Sequence, residues 1–205
     1  MSSAPNFGEA IRCSSHMLPY LDPSSLEKYL SLAEQALRIQ ADQFDSIAFR
    51  GMSGALLGPP LAMRLNKGML LVRKSNDNSH SSFRVEGFIG CKRYVIVDDF
   101  VSSKNTINNI VECIYNNIGT EAVCVGVLEV TYLSQEDIER KESVFSYVDH
   151  VTARIDSLKE NDTHTHTQQK FDGTRLPVIT TGSTALTLYT LPKGMVVYRD
   201  VMEVA

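Results

Sequence analysis

The chain has 205 residues, a formal net charge of −4 (20 Lys and Arg against 24 Asp and Glu), 43% hydrophobic and 21% charged residues. That length allows roughly 1.4 domains of ordinary size and a core that buries about 70% of the unfolded surface without staples. Low-complexity and collagen-like chains are excluded, and the acidic balance argues against a general nucleic-acid binder, which needs a net basic face.

Residues 1–22 read as irregular. Asp22-Pro23-Ser24-Ser25 then offers N-cap candidates with proline in the first turn. Leu26, Tyr29, Leu30, Ala33, Ala36 and Leu37 follow at helical spacing, so the pattern predicts an amphipathic helix to about Gln40. Asp45–Phe49 is a short strand ending at Arg50-Gly51. Ser53–Leu65 is helical again, with Pro59 and Pro60 expected to kink it or start its main turn and Gly68 to cap its end. Met69–Val72 is a continuous apolar run, the pattern of a strand buried on both faces, and it runs into Arg73-Lys74.

Residues 75–84 are almost wholly polar and read as a surface loop, followed by a short strand over 85–89. Tyr94–Val97 is a second buried strand that delivers Asp98-Asp99 to its tip. Ser102-Ser103 opens a helix over Thr106–Ile118, closed by Gly119. Ala122–Val130 is a third buried strand, and Gln135–Val148 is a predicted helix. The alternation of strand and helix implies an α/β fold, a parallel core sheet flanked by helices. From Leu176 onward short runs rich in Val, Ile, Thr and Tyr predict hairpins, an appended β-rich unit. The expected division is an N-terminal segment 1–22, a core 23–150 and an appendage 151–205.

Cys13, Cys91, Cys113 and Cys124 form no C-x-x-C pair, so no zinc ribbon is supported and free thiols in a reducing compartment are expected. No apolar run reaches the length of a membrane span, and the first 15 residues lack an apolar signal core. These readings point to the cytoplasm, with neither membrane nor nucleic acid as partner.

The segment with most chemical content runs from Tyr94 to Ile107. A strand brings two adjacent carboxylates to its end, a hydroxyl-rich turn follows, and then a helix begins. The free N–H groups of that first helical turn make a phosphate seat, to which Ser102, Ser103 and Thr106 add hydroxyls. The carboxylates beside the seat can accept hydrogen bonds from vicinal ribose hydroxyls or hold a hydrated Mg²⁺. A phosphate seat with diol acceptors describes a sugar-phosphate site. Arg50, Arg73, Lys74 and Lys104 are the basic residues near the predicted strand tips.

From Val95 to Thr106 this segment resembles the signature of the type I phosphoribosyltransferases. Asp22-Pro23, Ile47–Gly51, Gly58, Leu61-Ala62, Leu65, Val72–Lys74 and Val85–Gly87 follow the order seen in adenine phosphoribosyltransferases. The resemblance covers about residues 16–130. It implies transfer of a 5-phosphoribosyl group from phosphoribosyl pyrophosphate to a nucleobase, adenine-like, with Mg²⁺ as cofactor and a homodimer as assembly. It implies roles as well. Asp98 and Asp99 hold the ribose hydroxyls and, through water, the metal. Residues 102–106, with Lys104 and Asn105 among them, cradle the 5-phosphate, and Arg50-Gly51 forms a pyrophosphate loop. Arg73-Lys74 pairs with the leaving group, Glu86 is the acidic residue closing the lid loop, and Phe100 lies where a base stacks. The β-rich appendage and residues 1–22 correspond to the hood over the base.

The chain departs from the family at Lys104, where glycine is usual. Lysine resists positive φ and its Cβ crowds the seat, yet it also adds a cation. The alternative is therefore a catalytically impaired relative that binds a nucleotide or phosphoribosyl ligand as a sensor. His80 in the polar loop reads as solvent-exposed. His164 and His166, alternating with threonines, share a strand face without an evident third metal ligand.

Overall fold

The computed structural model describes residues 14–74, 83–88 and 90–161. Its elements in chain order are α1 (Leu18–Leu21), α2 (Pro23–Ile39), β1 (Ser46–Arg50), α3 (Gly51–Leu65), β2 (Gly68–Val72) and β3 (Val85–Gly87). There follow β4 (Arg93–Asp98), α4 (Lys104–Ile118), β5 (Val123–Glu129), a 3₁₀ turn (Val130–Tyr132), α5 (Gln135–Glu139) and α6 (Val148–Asn161).

The five strands form one sheet in the order β3-β2-β1-β4-β5. β1 pairs in parallel with both β2 and β4, and β4 with β5, while the short edge strand β3 runs antiparallel to β2. The fold class is therefore α/β, with a mostly parallel sheet flanked by helices. After β1 the chain moves to one side of the sheet, and from β4 it builds on the other. The crevice between the carboxyl ends of β1 and β4 is the topological switch point, where ligands bind in open sheets of this kind.

Alternation along the strands feeds two cores. Ile47, Val95, Val97 and Leu128 pack against α2 and α3, with Leu30, Leu37, Leu57 and Leu61. Ala48, Tyr94 and Ile96 face α4 and α6, with Ile107, Ile110, Ile114, Val151 and Ile155. Period two on the strands and period 3.6 on the helices place these side chains. Gly58 lets α3 lie close on β1, since a Cβ there meets the Phe49 ring at 2.5 Å. Asp22 caps α2 as expected, accepting from the Ser25 N–H at 2.8 Å.

Several expectations are corrected. The region before Pro23 contains the helical turn α1, with Tyr20 buried. α3 begins at Gly51 and passes through Pro59 and Pro60 as one helix, and it is capped by Asn66 in the left-handed region (φ 52°) instead of by Gly68, which starts β2. Asn tolerates that conformation, which frees the glycine for the strand. β2 is buried at Leu70 and Val72 only. Met69 is 37% exposed, because β2 has just the three-residue β3 beyond it. The helix expected over Gln135–Val148 spans Gln135–Glu139 only, and a separate α6 begins at Val148. α6 runs across residue 150 and contributes to the core beside α4. Polar residues such as Asp156 and Lys159 masked the buried positions Val151 and Ile155 on its inner face. The hairpins expected from Leu176, and His80, His164, His166 and Cys13, lie outside the described residues. None of the helices described is long and apolar enough to cross a membrane.

Candidate active site

A cleft of about 440 Å³ opens at the switch point. β1 contributes Arg50, the start of α3 contributes Gly51, Met52 and Ser53, and Lys74 follows β2. Asp98 and Asp99 come from the end of β4, and Asn105, Thr106 and Asn109 from the first turns of α4. His16 and Met17 close it from the N-terminal side. These pieces converge because β1, β2 and β4 end, and α3 and α4 begin, at the same edge of the sheet.

Gly51 turns the chain directly from β1 into α3 with φ 71°, which a glycine adopts without strain. The space its missing Cβ leaves is covered by the Lys74 side chain, whose Cε and Nζ lie 3.4 and 3.5 Å from the ideal Cβ position. Arg50 enters the cleft from the adjacent strand end. Its buried Nε has no hydrogen-bond partner among the described residues, so the guanidinium retains capacity for an anion.

The two carboxylates differ in surroundings. Asp99 is 5% exposed. Its amide donates to Asp98 Oδ1 at 3.0 Å, and the Ser53 hydroxyl donates to the same oxygen at 3.3 Å. Burial, then the hydrogen bond and charge of Asp99, push the Asp98 carboxyl up to about 7. A carboxyl so placed retains a proton near neutrality, unless a cation takes its place.

α4 starts at Lys104, with Ser103 extended (φ −144°, ψ 147°) in the N-cap position and its side chain making no cap hydrogen bond. The first-turn amides of α4 therefore face the cleft beside Thr106 with no side-chain cap. Lys104 is helical and has no positive φ, so the turn is made without a left-handed residue at this position. Its exposed side chain does not line the cleft and lies near His150 on α6, where it and Arg154 add to the burial that lowers the His150 pKa.

Seven of the thirteen expected site residues thus line one cleft: Arg50, Gly51, Lys74, Asp98, Asp99, Asn105 and Thr106. Arg73, Glu86, Phe100, Ser102, Ser103 and Lys104 do not line it. Arg73 and Glu86 pair with each other at 2.8 Å across β2 and β3. Phe100 stands at the mouth, its ring edge-on to His16 with centroids 5.9 Å apart. Sequence reasoning missed His16, Ser53 and Asn109. Asn109 was findable, one turn beyond Asn105 on the same helix face. Ser53 and His16 carried no sequence signal, because only the fold brings Ser53 to Asp98 and His16 to the cleft.

Two relatives are similar to this chain in sequence. An adenine phosphoribosyltransferase of Bifidobacterium longum subsp. infantis is 35% identical over 118 residues, 50% of this chain and 61% of that protein. One of Bifidobacterium longum is 31% identical over 134 residues, 58% of this chain and 69% of that protein. The chain belongs to the type I phosphoribosyltransferase family. It spans less than two thirds of the first relative's length and just over two thirds of the second's. Among solved structures, adenine phosphoribosyltransferase from Thermoanaerobacter pseudethanolicus aligns over 66% of this chain and 87% of that one, at 22% identity and a TM-score of 0.40. Orotate phosphoribosyltransferase from Aeropyrum pernix aligns over 60% and 70%, at 20% identity and a TM-score of 0.42. No family profile matches the chain.

The family's divalent cation can be tested against the donors. Among the described residues no three His, Cys, Asp or Glu side chains group into a metal cage. The adjacent Asp98 and Asp99 form a two-carboxylate edge that favours a proton in the absence of a cation. Such an edge suits a hydrated Mg²⁺ that takes its remaining ligands from substrate oxygens and water, and it does not suit a zinc cage.

Proposed function

We propose that the protein transfers a 5-phosphoribosyl group from phosphoribosyl pyrophosphate to a nucleobase, with adenine the first candidate base. The observation that carries this reading is the convergence of Asp98-Asp99, the open N-terminus of α4 and Arg50-Gly51 on one cleft. Sugar, 5-phosphate and pyrophosphate each have a chemically matched wall. The choice of adenine rests on the Bifidobacterium relatives alone.

In this reading the first-turn amides of α4 and the Thr106 hydroxyl bind the 5-phosphate and fix the ribose by one end. Asp98 and Asp99 bond the ring hydroxyls and place negative charge beneath a ring carbon that becomes cationic as the glycosidic bond breaks. Arg50, Lys74 and the backbone at Gly51 receive the departing pyrophosphate, where guanidinium and ammonium stabilise the growing negative charge. Asp98 and Asp99 would hold Mg²⁺, which would supply further neutralisation of the polyphosphate when bound. His16, Met17 and Phe100 close the cleft opposite the sugar and limit water around the reacting carbon. The three described cysteines are free thiols, which suits a reducing cytoplasm, and a homodimer is the assembly expected from the family.

Pyrophosphate release, measured with phosphoribosyl pyrophosphate, Mg²⁺ and each of adenine, guanine, hypoxanthine, uracil and orotate in turn, tests the proposal. Turnover with one base and loss of it in Asp99→Asn is the expected result. No turnover with any base, in a protein that still binds phosphoribosyl pyrophosphate, overturns the enzymatic reading.

A further inference from the structure

Glu129 ends β5 directly opposite Asp98 in the parallel register, yet it does not line the cleft. Both of its oxygens are engaged by neutral donors. The Val101 N–H donates to Oε1 at 2.9 Å, and the Ser146 hydroxyl donates to Oε2 at 3.2 Å while also reaching the Val127 carbonyl at 2.9 Å. No ion pair among the described residues uses Glu129. A half-buried carboxylate therefore stands near two others without a counter-ion. What the charge supplies is a strong acceptor for one backbone amide.

That amide belongs to the turn linking Asp98-Asp99 to α4. A second bond holds the same turn two residues earlier, the Thr131 N–H donating to the Asp99 carbonyl at 3.0 Å. Thr131 is in turn fixed by its hydroxyl, 2.6 Å from the phenol of buried Tyr20 on α1. The turn of residues 99–103 thus hangs from the tip of β5 at both Asp99 and Val101, before it reaches Ser103 and the uncapped end of α4.

We propose that Glu129 is a positioning residue: through the Val101 amide it sets the distance between the carboxylate pair and the phosphate seat of α4. It touches no substrate. This inference rests on the phosphoribosyl reading of the cleft. It adds a residue whose role is to hold the sugar and phosphate walls in register.

Binding of ribose 5-phosphate and of inorganic pyrophosphate, each measured by calorimetry or NMR titration, separates positioning from a general structural role. Glu129→Ala is expected to weaken ribose 5-phosphate binding by at least about tenfold, the worth of a charge-assisted hydrogen bond. Pyrophosphate, which binds on the Arg50-Gly51 side, should stay within about twofold, within the additivity expected of separated sites. Glu129→Gln keeps an oxygen at the Val101 amide but gives up the charge, so its ribose 5-phosphate affinity should fall between those of wild type and Glu129→Ala, with pyrophosphate again within about twofold. If Glu129→Ala does not fold, Glu129→Asp carries the same test, because the shorter side chain withdraws the oxygen while keeping the charge. Equal ribose 5-phosphate affinity in wild type and Glu129→Asp, or a parallel loss for both ligands, overturns the inference alone. A wild-type protein that binds neither ligand overturns it together with the functional reading.

Discussion

Asp98 stands at the point where stability and chemistry oppose each other. Its carboxyl is raised from its ordinary 3.8 to about 7 by burial and by Asp99. In the unfolded chain the same group ionises near its ordinary value, so between pH 4 and 7 the folded state binds more protons than the unfolded one. Stability then falls as pH rises through that window, and the loss is complete above it. Asp98→Asn removes the titration while keeping acceptors for the Asp99 amide and Ser53. Urea unfolding should show the variant more stable than wild type at pH 8, by more than about 1.4 kcal/mol, the worth of one pKa unit. The advantage should shrink toward pH 4. In the proposed phosphoribosyl reaction the same substitution removes a negative charge from beside the sugar and should lower turnover at least about a hundredfold. A variant no more stable than wild type at pH 8 would show that the acid pair is relieved in some other way.

At the scale of elements, the packing of α3 on β1 places Gly51 and Ser53 beside Asp98. Gly58 permits this approach, because a Cβ there would lie 2.5 to 2.9 Å from the ring and Cβ of Phe49. Phe49 is itself 5% exposed and has no room to retreat. Gly58→Ala should therefore destabilise by about 1–3 kcal/mol, the usual cost of overpacking, despite alanine's better helix propensity. Thermal melts would show it, and a rise in melting temperature would contradict the close packing. This element also marks how much was legible beforehand. The strand tips at Arg50 and Asp98-Asp99 and the start of α4 were readable, because apolar runs ending in charge leave a period and a boundary. The prolines in α3 misled, because their local penalty is outweighed by an inner face of Leu57, Leu61 and Ala62, each fully buried. Asn66 took the cap that Gly68 promised, since both residues accept a positive φ and only the backbone decides between them. Ser53 reaches Asp98, and His16 the cleft, by tertiary geometry alone, which no spacing in the sequence encodes.

At the scale of the whole molecule, the question is where the cooperative unit ends. The composition change near residue 150 suggested a boundary there, yet α6 runs from Val148 to Asn161 and seals the α4 side of the sheet. Val151 is fully buried and Ile155 is 5% exposed, both in one cluster with Ile107, Ile110 and Ile114 of α4. Across the same seam His150 meets the Asn108 side chain at 2.8 Å, and Arg154 pairs with Glu112 at 2.8 Å. Burying two aliphatic side chains is worth about 3–6 kcal/mol, and removing α6 also exposes the α4 side chains it covers. That loss is comparable with the whole stability of an ordinary domain, about 5–15 kcal/mol. The proposed phosphate seat lies at the first turn of the helix that α6 supports, so the consequence extends to the proposed site. A chain ended after residue 147 should lose cooperative unfolding and ribose 5-phosphate binding together, as read by denaturant titration and calorimetry. A truncated chain that unfolds in one sharp transition and still binds would place the boundary back at residue 150 and make α6 an accessory to an already complete core.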